Sequence, residues 1–162
     1  MKPIKFSKDG VGDIVVIPIA KNGQKILVEA AKLPIPLKEI EGALSRIGAT
    51  ADVDEVQKIP FGNKITIVTT GVGKFEKEYD AETLRRAAGA AARSLSGEES
   101  ATFTFPAKNA EQLSAVAQGA AFGAYVFNEF KGASKNEIKP ALAEIVIQTE
   151  LANKVDLKKI GR

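Results

Sequence analysis

The 162-residue chain contains no cysteine and no histidine. These absences exclude disulfides, thiolate and imidazole metal sites, a cysteine nucleophile and a serine-histidine relay within the chain. Any metal would have to rest on carboxylates, and any general base would have to be Asp, Glu, Lys or Tyr. No apolar run approaches the roughly 20 residues that a membrane helix needs. The opening M-K-P-I-K-F-S-K-D has no apolar h-region of a signal peptide, so a cytoplasmic location without a membrane partner is expected. Charge of one sign is scarce as well. The net charge is +3, but Lys154, Lys158, Lys159 and Arg162 face only Glu150 and Asp156 in the tail, which leaves residues 1–149 at +1. A nucleic-acid binder concentrates more Lys and Arg on one face, and the chain has no such block, which argues against a nucleic-acid partner.

What is present suits a single domain with a sizeable core: 44% of the residues are hydrophobic, and a fold of this length hides roughly 70% of its unfolded surface. Ile4 to Phe6 alternates as a short strand, and Asp13 to Ile19 is a continuous apolar run suited to a buried one. Pro18 removes a ladder donor and points to an end or an edge there. Asn22-Gly23 predicts a tight turn into a strand over Lys25 to Glu29. Leu37, Ile40, Leu44 and Ile47 recur at helical steps up to Gly48. The acids Asp52, Asp54 and Glu55 lie in a short stretch that reads as a solvated loop, since no further ligand stands at a fixed spacing for a hard cation.

Strands over Val56 to Phe61 and Lys64 to Thr70 flank a turn at Phe61 to Asn63. Asp80 is placed to cap a helix whose stripe, Leu84, Ala87, Ala88, Ala91 and Leu95, is mostly alanine beside Gly89, so this helix can lie very close to what it covers. Ala101 to Phe105 alternates as a strand, and Asn109 with Gln112 matches a capping box for a helix running to about Phe130. That helix has two apolar stripes, one from Leu113 to Phe127 and another of Phe122, Val126 and Phe130. Either both meet the domain's own layers or one meets another domain or subunit. A last strand is expected over Ala143 to Thr149. Strands and helices alternate in the second half, which implies parallel crossovers and a sheet covered on both faces; the strand-rich first part makes the sheet mixed.

The segment T-T-G-V-G-K (Thr69 to Lys74) follows a strand in the manner of a phosphate loop. The P-loop pattern needs a Gly where Val68 stands and a Ser or Thr where Phe75 stands; the dinucleotide fingerprint needs a Gly where Glu76 stands. Glu76, Glu78, Asp80 and Glu82 would also repel a phosphate at the following helix. The residues favour a sharp turn from the strand into its crossover, made by Gly71 and Gly73.

Three stretches together resemble the amino-terminal domain of the leucyl (cytosol) aminopeptidases: I-V-T-T-G-V-G-K (Ile67 to Lys74), E-T-L-R-R-A-A-G-A-A-A-R (Glu82 to Arg93) and Q-G-A-A-F-G-A-Y-V-F-N-E-F-K-G (Gln118 to Gly132). In the last, Gly119, Tyr125, Phe127, Phe130 and Lys131 match the family's spacing. The resemblance implies a three-layer α/β/α sandwich with a mixed sheet, like that of the macro domains. It implies a domain over residues 1–149, with 150–162 beginning a connector to a carboxy-terminal catalytic domain. That domain would hold two divalent metals, zinc or manganese, and act on peptide substrates within a homo-hexamer of sister subunits. Its Asn-Thr-Asp-Ala-Glu-Gly-Arg motif does not occur here, so no catalytic, cofactor-binding or metal residue can be carried over to any position of this sequence. The domain's own role would lie in assembly, substrate access or regulation. Alternatives are an ADP-ribose or nucleotide-binding module of macro type, and a DNA-binding domain.

Overall fold

A computed structural model describes residues 4–8, 12–30, 33–129 and 142–149. Its elements are β1 (Ile4–Ser7), β2 (Ile14–Asn22), β3 (Lys25–Val28), α1 (Leu37–Ile47), β4 (Val56–Phe61), β5 (Ile65–Lys74), α2 (Ala81–Ser94), β6 (Ser100–Thr104), α3 (Ala110–Glu129) and β7 (Glu144–Gln148). One mixed sheet runs in the order β1-β7-β6-β2-β5-β4, with β3 added to β2. The β1-β7, β7-β6, β6-β2 and β2-β5 pairs are parallel, whereas β4 and β3 are antiparallel to their neighbours.

The apolar run of β2 lies at the centre, and its alternate side chains feed two cores. Val15, Ile17 and Ile19 meet Ile40 and Leu44 of α1, while Val16 and Ala20 meet α2 and α3 across the other face. A strand buried on both faces has no polar alternation to display, which accounts for the unbroken run. In β6 and β7 the alternation persists but the polar positions are buried too: Thr102, Thr104 and Gln148 are almost inaccessible. The Gln148 side-chain amide donates to the Lys8 carbonyl at 2.8 Å.

The helix boundaries follow from their caps. Gly48 ends α1 with φ 71 while its N–H and that of Ala49 bond back to Ser45 and Leu44 carbonyls, the left-handed stop that glycine makes without a Cβ penalty. The Asp80 carboxylate accepts from the Thr83 N–H at 2.8 Å. At α3, Asn109 accepts from the Gln112 N–H at 2.9 Å and the Gln112 side chain accepts from the Lys108 N–H at 2.7 Å.

Two expectations need correction. Pro18 neither ends nor edges a strand, for β2 continues to Asn22 between two partners. Its carbonyl accepts from the Glu29 N–H, and in a strand a residue's N–H and C=O point to the same edge. On that edge β6 pairs with Val15 and Val16, and β3 takes over from Ile19. The missing donor thus falls in the gap between two ladders. Nor does β5 end at Thr70: it runs through both glycines to Lys74, with Val72 as an extra residue opposite the Ile19–Ala20 step. The glycines make a bulge inside the strand, not a turn at its end.

Candidate functional site

Gly71 and Gly73 are fixed by the loop before β4. The Gly71 N–H donates to the Glu55 carbonyl and the Gly73 N–H to the Ala51 carbonyl, both at 2.9 Å. A Cβ on Gly71 would lie 2.0 Å from the Asp52 carbonyl oxygen, and Gly73 has φ +84. The space a phosphate would need over these amides is therefore filled by the protein's own backbone. This loop is less solvated than its acids suggested: Ala51 is fully buried, and both Ala51 and Asp54 have positive φ, of 60 and 71.

The carboxylates of that loop are engaged. Asp52 pairs with Lys21 and accepts from the Thr50 hydroxyl; hydrogen bonds from these two groups, Lys21 first, hold its carboxyl below the usual range. Asp54 makes a two-point pair with Arg86, at 3.1 and 2.7 Å, and this bonding is the main reason its carboxyl is held low. Glu55 accepts from Thr50. Among the described residues, no three carboxylates gather closely enough to hold a metal ion.

In open α/β sheets ligands settle beyond the carboxyl ends of the strands, where neighbouring connections diverge. Here that place lies between β2 and β6, next to the starts of α2 and α3. The starts of the two helices converge on a shallow depression lined by Glu78, Asp80, Glu111 and Gln112. Its helix N–H groups are answered by Asp80 and Asn109, and the Gln112 amide donates to the Tyr79 carbonyl at 2.9 Å. Close by, burial pushes the Glu29 carboxyl above its ordinary range against the pull of Lys108, and burial likewise raises the Tyr79 phenol. The edge is acidic and its two helix starts are capped, which makes it a poor cradle for a dinucleotide, while the buried Tyr79 hydroxyl has no hydrogen-bond partner there.

The most distinctive surface is instead the outer side of α2 and α3. A Cβ on Gly119 would lie 2.1 Å from the Arg85 carbonyl oxygen, and one on Gly123 would lie 2.3 Å from that of Gly89. The helices therefore touch backbone to backbone, as the alanine stripe beside Gly89 led us to expect. Beside this crossing runs a groove rimmed by Glu82, Arg85, Arg86 and Arg93, with Phe122 at one side. Phe122 remains 67% exposed, so the second apolar stripe of α3 is not covered there by the domain's own layers. The side chain of Val126, and Phe130 as a whole, lie outside the described residues, as does the expected connector at 150–162. Periodicity revealed both stripes of α3, and the structure shows that Phe122 of the second is exposed.

A family model described as the N-terminal domain of the cytosol aminopeptidase family matches residues 16–134. The chain is 38% identical over 138 residues to a probable cytosol aminopeptidase of Streptomyces griseus subsp. griseus, covering 79% of this chain and 26% of that protein. It is 35% identical over 153 residues to the corresponding protein of Streptomyces avermitilis, covering 83% and 30%. The chain thus spans less than a third of the length of these relatives. Among solved structures, a tomato leucine aminopeptidase mutant superposes with a TM-score of 0.60 at 17% identity, over 99% of this chain and 35% of that one. The bottromycin maturation enzyme BotP, in complex with Mn, gives 0.59 at 20% identity, over 93% and 28%. At these identities the structural likeness is one of fold.

Proposed function

Because the chain belongs to the cytosol aminopeptidase family, as that family's N-terminal domain, we propose that it is the non-catalytic part of a metallo-aminopeptidase that removes amino-terminal residues from peptides. The observation that carries this reading is the alignment of residues 16–134 with the N-terminal domain alone. In the proposed parent enzyme two divalent ions, zinc or manganese, would be held by residues other than the described ones of this chain and would supply Lewis-acid activation of a water. The described residues of this chain do not fit such ions: the acids Asp52, Asp54 and Glu55 are each committed to a cation or a hydroxyl, and no three carboxylates gather to hold a metal among those residues. On this reading the hydrolytic centre lies in a carboxy-terminal domain, with a connector to it beginning within 150–162; its support is that the relatives are more than three times as long as the span they share with this chain.

The domain's own contribution is to assembly, in which its surfaces meet the catalytic domain and sister subunits. No helix among the described residues is long and apolar enough to cross a membrane. The assay is direct. Purified chain, given zinc or manganese, is expected to leave a leucine anilide unhydrolysed above the blank, and turnover that co-purifies with the chain would overturn the assignment.

A further inference from the structure

The hairpin between β2 and β3 carries a motif whose chemistry the fold leaves open. Asn22 ends β2, and Gly23 follows it in the turn with φ +65. Asn22, Gly23, Gln24 and Lys25 are all exposed. The ladder to β5 stops at the Lys21–Lys74 pair, so Asn22 is held on one side only, by its pairing with Lys25. A ladder end of this kind frays at little free-energy cost, and while it is open the main chain between Asn22 and Gly23 rotates freely. A Cβ on Gly23 would meet nothing within 4 Å, so nothing crowds the Gly23 amide nitrogen.

Asn22, Asn63 and Asn109 are the asparagines whose side chains are described, and their surroundings differ. The Asn109 side-chain oxygen is committed to the Gln112 N–H at 2.9 Å. Asn63 precedes Lys64, whose side chain shields its own backbone nitrogen; Asn22 precedes glycine, which shields nothing. We propose that Asn22 is a site of spontaneous covalent modification, and that its rearranged product loosens the α1 side of the sheet. The Gly23 amide nitrogen, deprotonated by base, attacks the Asn22 side-chain carbonyl. A C–N bond forms, and the side-chain nitrogen leaves as ammonia with the proton returned through solvent. The cyclic imide then takes up one water. Attack at the side-chain carbonyl restores the main chain with aspartate at position 22. Attack at the main-chain carbonyl breaks that C–N bond and leaves the chain running through the side chain, as an isoaspartyl linkage.

The two products act differently on the fold. The aspartate places a carboxylate opposite the Lys25 ammonium, a favourable cross-strand pair. The isoaspartyl form adds a methylene to the main chain, so the Lys21–Ile26 and Ile19–Val28 pairs behind it lose their register. Ile26 and Val28 pack against the core under α1, and that packing goes with the register. Either product lowers the net charge of +3 by one. The class of enzyme that would consume the isoaspartyl form is a carboxyl methyltransferase acting on its freed carboxylate. None of this depends on the aminopeptidase reading.

Mass spectrometry of the folded full chain, held at physiological temperature in mildly acidic and mildly alkaline buffer, tests it. Cleavage at glutamates frees residues 1–29 as one peptide, in which Asn22 is the only asparagine. Amide-to-acid conversion is expected in this peptide before it appears at Asn63, faster in the alkaline buffer and absent from Asn22→Gln. Purified isoaspartyl methyltransferase with labelled S-adenosylmethionine is expected to label the same peptide. The isoaspartyl fraction should unfold at lower urea than Asn22→Asp, which carries the same charge without the added methylene. An Asn22 amide that persists in the folded chain until the urea-unfolded chain has converted overturns the proposal. So does conversion that begins at Asn63, that ignores pH, or that continues in Asn22→Gln and so belongs to Gln24. Equal urea midpoints for the isoaspartyl fraction and Asn22→Asp overturn the loss of register.

Discussion

On the α1 side of the sheet, Ile40 and Leu44 reach down onto Ile17, Ile19 and Ile67, and closure depends on branched side chains filling the space between helix and strands. On the opposite side, α2 meets α3 at Gly89, Gly119 and Gly123, where carbonyl oxygens occupy the places that Cβ atoms would take. The first kind of contact is weakened by removing atoms and the second by adding them. One sheet thus carries two closures with opposite tolerances. The glycine crossing also sets the exposed Phe122 of α3 beside the charged outer stripe of α2.

The largest effect expected on the α1 side comes from Leu44→Ala. Leu44 is 1% exposed, and removing it should lower the unfolding free energy by about 3 kcal/mol, from lost transfer energy plus the residual cavity. A urea titration measures this, and a loss below about 1 kcal/mol would mean that α1 collapses onto the sheet and is not held off by its side chains.

How much of this was legible in the sequence differs between the two sides. The apolar steps of Leu37, Ile40, Leu44 and Ile47, the stop at Gly48 and the caps at Asp80 and Asn109 are local signals, and the structure follows them. The close approach of α2 was legible from alanines beside a glycine. The bulge at Gly71–Gly73 was not, because what fixes it is the backbone of Ala51 and Asp52, some twenty residues earlier in the chain. Pro18 misled for a similar reason: its harmlessness depends on where the β6 and β3 ladders stop and start on the same edge. The exposure of Phe122 could not be read either, since periodicity finds an apolar stripe without saying what covers it.

A smaller effect is expected where side chain and backbone meet between the sheet and α2. The Thr70 hydroxyl donates to the Ala87 carbonyl at 2.8 Å in a fully buried position. Thr70→Val keeps the shape and removes the bond, for a loss of about 1 kcal/mol by the same titration. The smallest effect belongs to the Asp54–Arg86 pair. Both partners are substantially exposed, so Asp54→Asn should cost only a few tenths of a kcal/mol at pH 7. Because the folded-state pKa of Asp54 is lowered, its contribution is present above the ordinary carboxylate value near 4 and is lost as the pH falls through the lower folded value. The two proteins should therefore differ in urea midpoint at pH 7 and converge at about pH 2; a gap that widens in acid would reverse the assigned sign.

The contrast between the two closures can be tested with one substitution made twice. Gly42 lies in α1, where an added Cβ would meet only the Arg46 guanidinium at 3.8 Å, whereas at Gly119 it would strike the Arg85 carbonyl. Urea unfolding of Gly42→Ala should show a gain of about 0.5–1 kcal/mol from helix propensity alone. Gly119→Ala should show a loss of about 3 kcal/mol as the helices are forced apart. Opposite signs are the predicted result. If Gly119→Ala is as stable as the unaltered chain, α2 and α3 do not meet through their backbones, and the account of this face fails.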